Sequence, residues 1–368
     1  MWKLRAARGM DVRVRLTMLA CAAFAVPLLM CGNNDPSSSS DAGAPAGDAA
    51  ITDAASPPNA DAAVPHYSID MTSTSVSGIS SGGFMAVQFH MAFSSIMKGA
   101  AIFAGGPYMC SGGSVLTATM SCTTGSPAID VASLVALTKQ NATSGAIDDP
   151  SALASQHMFI FGGADDGVVS PPVVDAVNAY YGSFAPAASI QYVSRRTGTS
   201  HTWPTLAFGS PCDTVQSPYL GNCNYDGAGI ALAQIYGTLA ARNATPTGAI
   251  IPILQGDFVS NPAEHSLGDT AYAYVPASCS SGDVCKIHVS FHGCLQSESQ
   301  VADAFYRHSG LNEWADTNHL IVLYPQTVAG AGNPEGCWDF WGYDSPDFAK
   351  KTGTQIAMVR AMITALAK

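Results

Sequence analysis

The chain has 368 residues, 47% of them hydrophobic and only 12% charged, enough apolar material for one large packed domain or two ordinary ones. Its net charge of −11 lacks the basic stripe that nucleic acid requires and sets a polyanionic partner aside, while neutral substrates stay open. The first element is an export signal: Lys3, Arg5, Arg8, Arg13 and Arg15 precede an apolar run from Leu16 to Met30, too short to span a bilayer comfortably. That run ends in Leu28-Leu29-Met30-Cys31, which is similar to a bacterial lipobox, with Met30 where a small residue normally stands. A lipid anchor to the outer membrane through Cys31 is therefore an expectation, alongside simple secretion. Residues 32–65 are Ala, Asp, Ser and Pro with almost no large apolar side chains. Such a composition cannot offset its ordering entropy and reads as a disordered tether before a single domain over 66–368.

Within that domain, strands are expected at Met71–Ser77, Ala100–Ala104, Met158–Phe161, Ile190–Ser194, Ala271–Val275, Lys286–Phe291 and Leu320–Tyr324. Helices are expected at Gly83–Phe93, Pro172–Tyr181, Gly227–Ala241, Val301–Asn318 and Gly353–Ala367. Short apolar runs alternating with helices predict an α/β fold, a mostly parallel central sheet flanked by helices. Cysteines agree with export. Cys110, Cys122, Cys212, Cys223, Cys279, Cys285, Cys294 and Cys337 form an even set of disulfide candidates. Short spacing favours 110–122, 212–223 and 279–285, which leaves Cys294 with Cys337. No cluster has metal-ligand spacing, so neither a metal nor a cofactor is expected.

The strongest chemical signal is Gly78-Ile79-Ser80-Ser81-Gly82, between the β-branched stretch Thr72–Val76 and the helical pattern FMAVQFHMAF. G-x-S-x-G at a strand-to-helix turn is the nucleophile elbow of α/β-hydrolases, where the glycines let a strained Ser project its hydroxyl. That hydroxyl needs a base, and the base needs an orienting acid. The strand HMFIF runs into a loop with two carboxylates, Asp165 and Asp166, and the strand SIQYVSRR runs into Gly198-Thr199-Ser200-His201. The order Ser80, Asp166, His201 is the α/β-hydrolase order. His66 sits at the tether edge, His90 on the helix after the elbow and His288 within a strand, whereas His201 and His292 end strands. Phe291-His292-Gly293-Cys294 closes the strand CKIHVSF and suits an oxyanion hole, with a second backbone N–H from Ser81. That strand ordinarily precedes the nucleophile. Here it follows, and moving residues 250–368 ahead of 66–240 restores the usual order, a circular permutation.

Six blocks in this order, GISSGGFMA, FGGADDGVV, GTSHTWPT, SFHGCLQ, NEWADTNHLIVLYPQ and GCWDFWGY, resemble extracellular poly(3-hydroxybutyrate) depolymerases of the circularly permuted single-domain type. The resemblance covers roughly residues 66–368. It implies nucleophile Ser80, acid Asp166 rather than Asp165, base His201, oxyanion donors on Ser81 and Cys294, and aromatic substrate contacts at Trp338 and Trp341. It also implies a serine esterase that cuts the polyester or its oligomers to 3-hydroxyacids. The lipobox-like start points instead to a bacterial host, with the protein secreted or held at the cell surface, and a monomer is expected. Gly162 stands where relatives often carry His or Ser. The chain ends at Lys368 without a Thr-rich linker or polymer-binding module, so granule adsorption is expected from the catalytic domain's own apolar rim. Rival readings are an esterase of soluble short-chain or plant esters, such as a feruloyl or acetylxylan esterase, and a non-catalytic surface lipoprotein.

Overall fold

The computed structural model describes residues 64–367, so the export signal, Cys31 and nearly all of the tether lie outside the described residues. The apolar runs form strands β1 (Thr74–Ile79), β2 (Met97–Phe103), β3 (His157–Gly163) and β4 (Ile190–Arg196), then β5 (Trp203–Thr205), β6 (Ser210–Pro211) and β7 (Leu220–Asn222). They continue as β8 (Ala249–Leu254), β9 (Thr270–Val275), β10 (Lys286–Phe291) and β11 (Leu320–Tyr324). Eight of them build one sheet in the order β4-β3-β2-β1-β10-β11-β9-β8. All neighbours from β4 to β11 are parallel, with β9 antiparallel to β11 and β8 antiparallel to β9. The central strands β1 and β11 are buried along their whole length, as parallel strands covered on both faces must be.

Helices α1 (Ser81–Ala92), α2 (Val115–Thr119), α3 (Ser121–Thr124), α4 (Val131–Thr143), α5 (Pro171–Tyr181) and α6 (Gly227–Tyr236) follow in the first part. The second part carries α7 (Ala277–Ser280), α8 (Glu298–Val301), α9 (Ala304–His308), α10 (Leu311–Ala315) and α11 (Thr354–Leu366). All residues of α1 are buried, which suits a helix apolar nearly all round. One face packs on the sheet. The other is covered by the segment after β11, where Phe84 stacks on Phe340 at 4.3 Å and Gln88 Nε2 donates to the Asp339 carbonyl at 3.0 Å.

The strand order matches the circular permutation. Beginning at β8 and reading β8, β9, β10, β11, β1, β2, β3, β4 gives the hydrolase succession, with β11 lying between β9 and β10. The junction is closed in space: the Tyr67 N–H donates to the Leu366 carbonyl at 2.8 Å, so α11 ends where the lead-in to β1 begins.

Three expectations on elements are corrected. The helix expected over 301–318 is two short helices, α9 and α10, with α8 ending at Val301, because Ala302 and Gly310 take positive φ (51° and 85°) and break the backbone ladder. The helix expected to reach Ala241 stops at Tyr236, where Gly237 turns with φ 82°. Strand β8 was not expected; it carries Pro252 and lies at the sheet edge, where a missing N–H costs no ladder bond. The four disulfides join Cys110–Cys122, Cys212–Cys223, Cys279–Cys285 and Cys294–Cys337.

Candidate active site

Strand β1 ends at Ile79 and α1 starts at Ser81, leaving Ser80 alone in the turn with φ 56° and ψ −125°. A non-glycine residue there stores roughly 1–3 kcal/mol of strain, held by its surroundings. The Ser80 N–H donates to the Phe103 carbonyl at 3.1 Å and its carbonyl accepts from the Phe84 N–H at 3.0 Å. The flanking glycines are required by space. A Cβ on Gly78 would lie 2.1 Å from the Gly82 oxygen, and one on Gly82 would lie 2.2 Å from the Phe291 oxygen. The second contact also presses the elbow against the end of β10.

The loop after β3 and the loop after β4 meet so closely that a Cβ on Gly163 would sit 2.2 Å from the Thr199 oxygen. This contact brings His201 Nδ1 to 2.9 Å from Asp166 Oδ2, both side chains being almost fully buried. The other oxygen, Oδ1, accepts the N–H groups of Val168 (2.9 Å) and Val169 (2.8 Å). Since a carboxylate only accepts, Nδ1 carries the hydrogen and Nε2 is left with a lone pair. The neighbour Asp165 turns away, its carboxylate accepting from the Gly198 N–H at 2.9 Å. Behind His201, the Ser200 N–H donates to the Cys212 carbonyl at 2.9 Å, so the Cys212–Cys223 disulfide and the small sheet β5-β7-β6 brace the histidine loop.

Ser80 and His201 line one cavity of about 300 Å³ together with Gly293, Cys294, Tyr219 and Val215. Gly293 lies against the elbow, where an added Cβ would stand 3.4 Å from Ser80 Cβ. Its N–H is taken by Gln296 Oε1 at 2.8 Å, and Gln296 in turn donates to the Tyr219 carbonyl at 3.1 Å. The Cys294–Cys337 disulfide ties this loop to the aromatic segment. A second cavity of about 180 Å³, walled by Phe84, Val115, Val169, Phe340 and Trp341, opens from the other side of Ser80. The two share Ser80, Val168, Cys294 and Glu335, forming an apolar crevice with the serine at its waist. A larger hollow of about 450 Å³, by Lys139, Asp149 and Ser183, holds none of the candidate residues.

Trp338 requires a correction. It is fully buried, with its ring 5.0 Å from Phe291 and 5.6 Å from His292, and it does not line the crevice. The Trp338 N–H donates to Ser81 Oγ at 3.3 Å, so the backbone is held under the elbow and the indole is directed into the core. Trp341 is half-buried and lines the second cavity, against Phe340 and Tyr343. His292, the other strand-end histidine, belongs to the core: Nδ1 lies 2.7 Å from the Gly293 carbonyl and Nε2 accepts from the Thr327 N–H at 3.2 Å. Burial lowers its pKa to about 4, so it stays neutral.

Sequence reasoning passed over Asp339. Its buried carboxylate accepts backbone N–H groups from Trp341 (3.3 Å), Gly342 (2.6 Å), Tyr343 (3.1 Å), Asp344 (3.1 Å) and Ser345 (3.2 Å). Burial pushes its pKa up while these donors pull it down. The acid folds the aromatic segment around itself and sets the direction of Trp341. An acidic residue inside the aromatic run WDFWGY was the available signal.

No family model matches the chain. It is 43% identical over 305 residues to a poly(3-hydroxybutyrate) depolymerase of Delftia acidovorans, covering 82% of this chain and 60% of that protein. The chain thus spans about 60% of the length of that relative. It is 38% identical over 315 residues to a polyhydroxybutyrate depolymerase of Talaromyces funiculosus, covering 81% of this chain and 90% of that one. The crystal structure of PHB depolymerase from Penicillium funiculosum superposes with a TM-score of 0.76 at 36% identity, over 83% of this chain and 99% of that chain. A serine-to-alanine form of PHB depolymerase complexed with an R3HB trimer matches equally, at a TM-score of 0.76. With this similarity spread over most of its length and over an α/β-hydrolase sheet, the chain belongs to the poly(3-hydroxybutyrate) depolymerase family.

Proposed function

We propose that the protein is an exported serine esterase that hydrolyses poly(3-hydroxybutyrate) or its oligomers to short 3-hydroxyacids. The observation that carries this reading is Ser80, strained on its elbow, facing the same cavity as a His201 whose Nδ1 is held by Asp166. His201 Nε2 takes the Ser80 proton as Oγ attacks the ester carbonyl, and Asp166 keeps the tautomer and stabilises the imidazolium. The N–H groups of Ser81 and Cys294 receive the developing oxyanion. His201 then returns the proton to the departing alkoxide, leaving an acyl-enzyme that water, deprotonated by the same Nε2, hydrolyses. The apolar walls of Phe84, Phe340 and Trp341 suit a neutral methyl-bearing polyester.

Adsorption to the solid polymer is assigned to a rim made by α2 and its neighbours. Val115 and Leu116 are 60% and 66% exposed, Met120 follows them, and Val168 and Val215 stand exposed on the crevice edge. Large apolar side chains left in water around a cleft mark a contact surface. Four disulfides and the export signal support action outside the cytoplasm, either secreted or held at the cell surface by a lipid on Cys31. The test is clearing of polymer granules measured beside hydrolysis of soluble p-nitrophenyl esters. Both activities, abolished together by Ser80→Ala, are expected. Ester hydrolysis without granule clearing would favour an esterase of soluble substrates, and neither activity would leave a non-catalytic surface protein.

A further inference from the structure

The crevice is apolar on both sides of Ser80, yet a single carboxylate, Glu335, lines both of its halves. No lysine, arginine or second carboxylate joins it there among the described residues. Glu335 is exposed, and one of its carboxylate oxygens lies within 4.8 Å of both sulfur atoms of the Cys294–Cys337 disulfide. The arginine and lysine ion pairs among the described residues go to Asp175, Asp303, Asp347 and Asp148 instead. Its position is set by backbone: the Glu335 carbonyl accepts from the Leu295 N–H at 2.7 Å and from Gln300 Nε2 at 3.2 Å. The main chain is thereby held, and the exposed carboxylate stands beside the Cys294–Cys337 disulfide with no lysine or arginine paired to it among the described residues.

We infer that Glu335 is a specificity-determining residue that excludes carboxylates from the crevice. This rests on the hydrolytic reading of the site. Hydrolysis of an ester turns a neutral substrate into an acid and an alcohol, so each turnover creates a carboxylate next to Ser80. The Glu335 charge disfavours that product and leaves the neutral ester untouched, which speeds departure of the acid and weakens its rebinding. The same repulsion disfavours a chain end whose free carboxylate would lie next to the scissile bond. Internal ester bonds are therefore preferred over the bond nearest the acid terminus.

The test compares p-nitrophenyl valerate with mono-p-nitrophenyl glutarate, which share an acyl length and differ in a terminal methyl against a carboxylate. For a partly solvated charge pair the expected effect of Glu335→Gln is a rise of about three- to fivefold in kcat/KM for the glutarate relative to the valerate. Glu335→Asp should keep the wild-type ratio, and raised salt should bring the wild-type ratio toward that of the glutamine variant. Equal changes on both esters, or an unmoved ratio, would overturn the inference. Failure to clear granules with the ester ratio shifted as expected would remove the polymer substrate and leave the exclusion of carboxylates standing.

Discussion

Replacing Asp166 with asparagine alters a single atom, and the surrounding hydrogen bonds dictate what that atom does. Oδ1 is held by two backbone donors, Val168 N–H at 2.9 Å and Val169 N–H at 2.8 Å. An asparagine must keep its carbonyl oxygen there, since an NH2 group would face two other donors. The NH2 then occupies the Oδ2 position, 2.9 Å from His201 Nδ1. Nδ1 is forced to accept, the ring proton moves to Nε2, and the nitrogen that takes the Ser80 proton in the proposed mechanism loses its lone pair. Fixing the wrong tautomer in a triad of this kind costs about 10⁴ in kcat, or ~5 kcal/mol of transition-state stabilisation. The fold should survive, because the two backbone bonds and the side-chain volume are kept. Asp165→Asn, whose carboxylate accepts from the Gly198 N–H, should cost less than about tenfold, because an amide oxygen can replace that acceptor. The assay is saturating hydrolysis of p-nitrophenyl butyrate, with circular dichroism to verify folding. Equal losses at the two positions, or a larger loss at Asp165, would refute the tautomer argument.

Leu116→Ser should weaken granule adsorption by about tenfold, as expected from ~1–2 kcal/mol of lost apolar burial, and leave soluble-ester hydrolysis unchanged; equal loss of both activities would remove the rim assignment. Asp339→Ala abandons five backbone N–H groups and should lower stability by about 3 kcal/mol and raise KM through the Trp341 wall, measured by urea unfolding and ester kinetics. Reducing the Cys294–Cys337 bond should impair activity as well as stability, because it joins the Gly293–Cys294 loop beside Ser80 to the aromatic segment; full activity after its demonstrated reduction would oppose this. Burial lowers the pKa of His90 to about 4, of His288 to about 3 and of His292 to about 4, against 6.5 for a free histidine. The folded values lie below the unfolded one, so their contribution is intact above pH 6.5 and is lost as pH falls toward 4, by up to ~4 kcal/mol per pH unit for three protons. Unfolding curves at pH 7, 6 and 5 should show that steep decline, and a flat stability would mean these rings charge in place.

Much of the site was legible because it depends on local constraint. Only small residues fit around Ser80, so Gly78 and Gly82 announce the elbow before any partner is known. The wholly apolar strand β11 has the ends that its sequence pattern shows, since burial on both faces leaves no choice of side. Close cysteine spacing indicated the disulfides, because short loops limit the partners a cysteine can reach. The order of the motifs pointed to permutation, while the contact of Tyr67 with Leu366 that makes it possible exists only in three dimensions. Tertiary structure alone decided which tryptophan lines the crevice and which is buried. The segment 336–345 has no helical or strand period to read, and the directions of Trp338 and Trp341 follow from a hydrogen bond to Ser81 and from the nest of donors around Asp339. Likewise α2 is a short helix of unremarkable composition, and its exposed Val115 and Leu116 gain meaning only because Val115 lines the crevice. Side-chain direction in irregular backbone is set by long-range packing and polar satisfaction, terms that no window of sequence contains.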